Sequence, residues 1–182
     1  MKIASPVALV TGSTSGIGAA IARRLSSEGF SVVLHSRSSV ETGQALAREL
    51  GSATYVQADL ADDANRVRLI REAVAAWGRL DVLVNNAGIS RVIPHADLAA
   101  ATPAVWSELY EVNVIAPFRL IAEAEPALRD AARTPTTSDL VSHPVRDPNQ
   151  RKSHSPGAGS RWALIALVHV LSSTFSASAS PL

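Results

Sequence analysis

Apolar residues along this chain come in short unbroken runs, separated by stretches in which they recur every three or four positions. "VALV" at 7–10, "SVVLH" at 31–35, "ATYVQ" at 53–57 and the start of "LDVLVNNAG" at 80–88 are of the first kind. Runs this short, bounded by turn residues, predict strands buried on both faces, as in a parallel sheet. Between them, 16–28, 40–50 and 62–77 carry helical spacing, and in the third Val67, Ile70 and Val74 share a face. Gly29, Gly51 and Gly78 stand directly behind these three segments, where a left-handed cap is wanted. Thr102-Pro103 predicts an N-cap followed by proline at the first helical position. That helix runs toward 112, and another covers 117–132 with a kink at Pro126. Strands alternating with helices of this length imply right-handed β-α-β crossovers, hence an α/β fold with helices flanking a parallel sheet.

The alternation stops near Arg133. Glutamate is absent after Glu125, and 134–182 hold 14 Ser or Thr and 5 Pro in 49 residues. This divides the chain into an α/β domain at 1–133 and a Ser/Pro-rich tail at 134–182, expected to be poorly ordered. The longest late apolar run, 162–171 with His169 inside it, is shorter than the roughly 20 residues a membrane span needs. The opening "MKIASPVALV" lacks the apolar core and cleavage site of a signal peptide, so a cytoplasmic location is expected. A net charge of +1 argues against partners recruited by charge, nucleic acid and membrane surfaces alike. There is no cysteine, which removes disulfides and thiolate metal sites. His35, His95, His143, His154 and His169 show no metal-ligand spacing, so no metal is expected. "RDPNQRKSH" at 146–154 is mildly basic, and a solvated loop explains it better than nucleic-acid binding.

The candidate chemistry lies in "VTGSTSGIGAAIARRL" at 10–25. Gly12, Gly16 and Gly18 fall between a strand and a helix, where a glycine turn can hold a dinucleotide pyrophosphate against the helix N-terminus. An ordinary tight turn is the plainer reading of three glycines. Three further segments accompany them. "TGSTSGIG" at 11–18 resembles the glycine turn of the short-chain dehydrogenase/reductase family. "NNAG" at 85–88, "ADL" at 58–60 and "EVNV" at 111–114 resemble, in order, that family's motif after the fourth strand, its adenine-contacting segment and the helix carrying its structural asparagine. The resemblance covers about 5–132. It implies a Rossmann-like domain, incomplete on its C-terminal side, whose turn (Gly12, Ser13, Ser15, Gly16, Ile17 and Gly18) embraces the phosphates and ribose of a nicotinamide dinucleotide. Asp59, with Leu60, would receive the adenine amino group; a cap for the next helix is the other reading of Asp59. Asn86, Ala87 and Gly88 would lie against the cofactor, with Asn86 bracing the sheet. Asn113 would break its helix locally and hold a water in a proton relay.

Relatives of this fold that prefer NAD place an acid at the end of the second strand, for the ribose 2′-hydroxyl. Here "LHSRSS" at 34–39 has Ser36, Arg37 and Ser38 and no acid before Glu41. Arginine can pair with a 2′-phosphate through its planar fork of donors, which favours NADP, with NAD the alternative.

The family's reaction, carbonyl reduction or alcohol oxidation by hydride transfer, also needs a tyrosine with a lysine four residues on, and a serine on the preceding strand. The two tyrosines, Tyr55 and Tyr110, are followed at that distance by Asp59 and Val114. The lysines are Lys2 and Lys152, and Pro148 lies four before Lys152. Ser172-Ser173 follow an apolar run but precede no tyrosine. The family's last strands have no convincing counterpart. A shifted reading frame over the tail would explain the abrupt change, and a divergent tail would too. The chain is therefore expected to descend from an NADP-dependent oxidoreductase and to be impaired as it stands. The alternative roles are a dinucleotide-binding or subunit-association module, with a homo-oligomer as the expected assembly, or a product with no function.

Overall fold

The computed structural model describes residues 5–94, 96–133 and 164–167. Five strands form one sheet: β1 (Val7–Val10), β2 (Ser31–Ser36), β3 (Ala53–Gln57), β4 (Val82–Asn85) and β5 (Leu164–Leu167). Their order is β3-β2-β1-β4-β5, and every pairing is parallel. Three helices connect the first four strands: α1 (Gly16–Ser27), α2 (Val40–Leu50) and α3 (Asp63–Trp77). The glycines expected behind them, Gly29, Gly51 and Gly78, all have positive φ. Asp62 caps α3 by accepting from the backbone of Ala64 and Asn65.

The unbroken apolar runs are explained by the two covered faces. Val7 and Leu9 of β1 pack with Leu83 against Leu69 and Ile70 of α3. On the opposite face Val10, Val32 and Leu34 pack against Ala19 and Ala22 of α1 and Leu46 of α2. The buried side of α3 is Arg66, Leu69, Ile70 and Ala73. The expected stripe of Val67, Ile70 and Val74 is thus rotated, leaving Val67 and Val74 half-buried. An arginine takes the first position of that inward face.

The two helices expected after β4 are one continuous rod. α4 (Pro103–Tyr110) passes through a π-helical turn, Glu111–Ile115, into α5 (Ala116–Arg133). Thr102 caps α4 with its hydroxyl, as its sequence predicts. Pro126 sits inside α5, which continues past it to Arg133. β5 differs from the expectation that the late strands lack a counterpart: Leu164–Leu167 lies in register along β4, with Val82 opposite Leu164 and Asn85 opposite Leu167. The rest of the Ser/Pro-rich segment, with Lys152, Ser172 and Ser173, lies outside the described residues, as do His95, His143, His154 and His169.

Candidate functional site: a dinucleotide cleft

The chain turns back between β1 and β4. β2 and β3 lie on one side of β1, β4 and β5 on the other. Loops leaving the C-terminal ends of β1 and β4 diverge there, and a parallel sheet opens a crevice at such a switch point. A cleft of about 540 Å³ occupies it, lined by the glycine turn, by Arg37 and Ser38, by Asp59 and Leu60, and by Asn86 to Ile89.

Each glycine of the turn has its own reason. Gly12 has φ +64, and a Cβ there would sit 3.0 Å from Ala87 Cα. A Cβ on Gly18 would run into the carbonyl oxygen of Gly12 and lie 2.5 Å from Asn86 Nδ2. These two let the turn close onto the loop after β4. Gly16 has φ +53, and its Cβ would meet nothing within 4 Å. Since Gly16 lines the cleft, its bare backbone faces the open space where a ligand would approach. Ser15, the N-cap of the twelve-residue α1, makes no capping bond with its side chain. Its hydroxyl and the first N–H groups of α1 are therefore suited to an anion.

The two walls are tied together by hydrogen bonds. Thr11 Oγ1 donates to the carbonyl of Val84 and accepts from the N–H groups of Asn86 and Ala87, each at 3.0 Å. Asn86 Nδ2 donates to the carbonyls of Thr11 and Gly12 at 2.9 and 3.1 Å, which holds the turn after β1 to the loop after β4. Asn113 sits in the π turn, where the rod departs from α-helical geometry without a break. Its side chain accepts from Ile89 N at 2.9 Å and donates to Ile89 O at 2.8 Å, fixing the floor beside Gly88.

His35 lies beneath the turn, 2% exposed. Its Nδ1 accepts from Gly12 N at 3.2 Å, and its Nε2 contacts the carbonyl of Ala58 at 3.0 Å. Since a carbonyl only accepts, Nε2 carries the proton and the ring is neutral. Burial lowers its pKa to about 4, against smaller opposing effects of the Ala58 hydrogen bond and the Asp59 charge.

The other expected contacts divide. Ile17, Arg37 and Ser38 line the cleft and are exposed. Leu60 is buried in its wall. Asp59 borders it with one carboxylate oxygen accepting from Ala61 N at 2.9 Å, and the cap of the next helix is Asp62, so the alternative reading of Asp59 as that cap does not hold. Ser13 is completely buried, and its hydroxyl is engaged with the backbone N–H and carbonyl of His35. It holds β2 to the turn and does not line the cleft. Asn85 is buried with neither side-chain polar atom hydrogen-bonded among the described residues. No group of three or more metal-binding side chains occurs among the described residues.

Sequence reasoning missed Thr11 and His35 as parts of this site. The parallel pairing of β1 with β2 contains the signal, because Val10 opposite Leu34 puts His35 beside the turn.

The short chain dehydrogenase family model matches residues 6–135. The chain belongs to this family. It is 55% identical over 124 residues to a Streptomyces violaceoruber protein assigned as ketoacyl reductase 2 of the granaticin polyketide synthase. That match covers 68% of this chain and 50% of the relative. Among solved structures, a metagenomic short-chain oxidoreductase in complex with NADP superposes with a TM-score of 0.65 at 40% identity, covering 72% of this chain and 60% of that one. The 3-ketoacyl-(acyl-carrier-protein) reductase of Brucella melitensis, complexed with NADH, gives 0.64 at 30% identity, covering 70% and 52%. The chain thus spans about half the length of the curated short-chain dehydrogenase it matches at 55% identity.

Proposed function

We propose that the cleft binds NADP(H), and that this chain holds the dinucleotide without carrying a carbonyl or alcohol through a reaction. The observation behind the first half is the end of β2. Arg37 is exposed there and borders the same cleft as the glycine turn, and no carboxylate stands between Leu34 and Val40 to receive a ribose 2′-hydroxyl. In this reading Gly16 lets the pyrophosphate approach the backbone, and Ser15 and the α1 N-terminus hold its charge. Arg37 and Ser38 take the 2′-phosphate, and Asp59 takes the adenine amino group with its remaining acceptor capacity. NADPH supplies a hydride when it is bound; the chain's contribution is to orient it. The relatives' names point to ketones on acyl chains as the substrate class of the parent reaction.

The second half rests on the sequence. No tyrosine is followed by a lysine four residues on, and an ordinary phenol titrates near 10 unless such a neighbour lowers it. The test uses the full chain: NADPH is titrated by fluorescence, then its absorbance is followed with a panel of β-ketoacyl thioesters and simple ketones. Saturable binding without turnover is expected. Turnover that disappears on changing a residue after Arg133 would overturn the second half and reveal a substitute acid.

A second reading, association with another copy of the chain, has an observation of its own. Trp106, Tyr110, Val114 and Phe118 recur every four residues along the α4–α5 rod and are 64%, 60%, 46% and 69% exposed. Four-residue steps drift by about 40° on an α-helix, and the wider π turn offsets part of that drift. The stripe offers the partner a run of apolar and aromatic surface.

A further inference from the structure

The loop joining β2 to α2 carries Arg37 and Ser38, and the structure pins it from β3. Tyr55 OH and Ser36 Oγ are 2.8 Å apart. Ser36 Oγ in turn accepts from Ser39 N at 3.0 Å. Two residues along the strand from Tyr55, Gln57 Nε2 donates to the carbonyl of Arg37 at 2.9 Å. Tyr55 and Gln57 share a face of β3, as residues two apart on a strand do. The Tyr55 ring is itself seated: a Cβ on Gly43 of α2 would overlap it, so the ring occupies the place of a side chain that α2 lacks. Ser36 is buried, while Arg37, Ser38 and Ser39 are exposed. The exposed loop is therefore anchored at both sides of Arg37 by β3 side chains that stand outside the lining of the cleft.

We propose that Tyr55 and Ser36 set the preference for a 2′-phosphorylated adenosine, by fixing the backbone on which Arg37 and Ser38 are presented. Both are positioning residues: Tyr55 stands outside the lining of the cleft, and Ser36, which is buried at its edge, acts through its bonds to Tyr55 and to Ser39 N. The inference rests on the NADP(H) reading of the cleft and names the device that makes the reading selective. An arginine on a free loop attracts anions in general, whereas one held in a fixed frame meets a phosphate at a defined place with less ordering cost on binding. The pyrophosphate end, at Gly16 and α1, is not built on this loop.

The experiment measures affinities of the full chain and its variants for NADPH and NADH, with 2′,5′-ADP and 5′-AMP as fragments. Tyr55→Phe keeps the ring against Gly43 and removes only the hydroxyl. It is expected to weaken NADPH and 2′,5′-ADP about three- to tenfold, the usual effect of one hydrogen bond. NADH and 5′-AMP should change by less than twofold. Ser36→Ala, which removes both bonds, should lose more in the same two ligands. General loosening of the fold would lower all four affinities together, so equal losses overturn the proposal, and so does an unchanged Tyr55→Phe ratio. An unaltered chain that binds dinucleotide with no preference for the 2′-phosphate refutes the NADP(H) reading itself, and that result is seen before any variant is made.

Discussion

His35 makes the cleft sensitive to acid. A neutral ring accepts from Gly12 N–H at Nδ1; a protonated ring cannot, and it would place a charge among buried groups. Its folded pKa, about 4, lies below the usual 6.5. The unfolded chain therefore binds this proton more readily between those values, and stability falls as pH drops from about 6.5 toward 4. The contribution present above 6.5 is on the order of 3 kcal/mol. Urea unfolding of the full chain at pH 7.5, 6.5, 5.5 and 4.5, compared with His35→Gln, should show the wild type losing more stability over that range. Parallel curves would remove His35 as the cause. The glycines give a second contrast at this scale. Gly16→Ala has room for its Cβ but not an easy backbone angle, so it should fold with a cost of roughly 1–2 kcal/mol and lose nucleotide affinity. Gly18→Ala meets the Gly12 carbonyl and should cost several kcal/mol or fail to fold. Thermal unfolding and NADPH titration of the pair read both effects. Three glycines in the sequence mark the turn, but the division of labour among them depends on the loop after β4, which a local pattern does not contain. Ser13 shows the same limit: it sits among cleft residues in sequence and turns its hydroxyl to β2.

At the scale of elements, β1 to β4 and the first three helices were legible from their hydrophobic patterns, although the buried face of α3 is rotated from its expected stripe and β3 is mostly half-buried. That Asn113 lies where the helix departs from α geometry was implied by the family resemblance. Helical periodicity suggested two helices separated near 113–116, and the chain instead widens one turn and continues. The π turn also explains Arg66, which no periodicity would assign to an inward face. Arg66 is 2% exposed; its Nε donates to Leu60 O at 2.7 Å, and it pairs with Glu111 at the start of the π turn. It joins the loop after β3, α3 and the rod in one charged contact. Arg66→Ala leaves the half-buried Glu111 without that partner and Leu60 O without its donor, and should cost roughly 2–3 kcal/mol. Arg66→Lys, which lacks the fork, should recover only part of this. Chemical denaturation checks the order; a cost below about 1 kcal/mol for Ala would show the contact to be a solvated surface pair. The exposed stripe on the same rod predicts that Phe118→Glu with Trp106→Glu leaves thermal stability nearly unchanged and converts any oligomer to monomer, read by sedimentation velocity. A monomeric wild-type chain would remove the association reading.

Across the whole molecule, the cleft is built by both halves of the sheet. The turn after β1 and the loop after β2 form one wall, and the loop after β4, held by Asn113, forms the other with Val112 of the rod. A ligand seated there bridges segments that are far apart in sequence, so its binding energy adds to folding stability. At a nucleotide concentration one hundred times its Kd, the gain is about 2.7 kcal/mol. For a folded unit of this size that corresponds to a rise of roughly 10 °C in Tm. NADPH should produce this rise at lower concentration than NADH, because Arg37 and Ser38 add to one ligand and not the other. Binding alone produces the shift, whether or not the chain carries a substrate through a reaction. Scanning calorimetry of the 182-residue chain with increasing NADPH, NADH and ATP provides the comparison. A concentration-dependent rise ordered NADPH, then NADH, then ATP supports a dinucleotide holder. A flat Tm with all three, in a chain shown to be folded by circular dichroism, would mean that the cleft keeps the family's shape without its ligand. Both walls would then owe their hydrogen bonds to the fold alone.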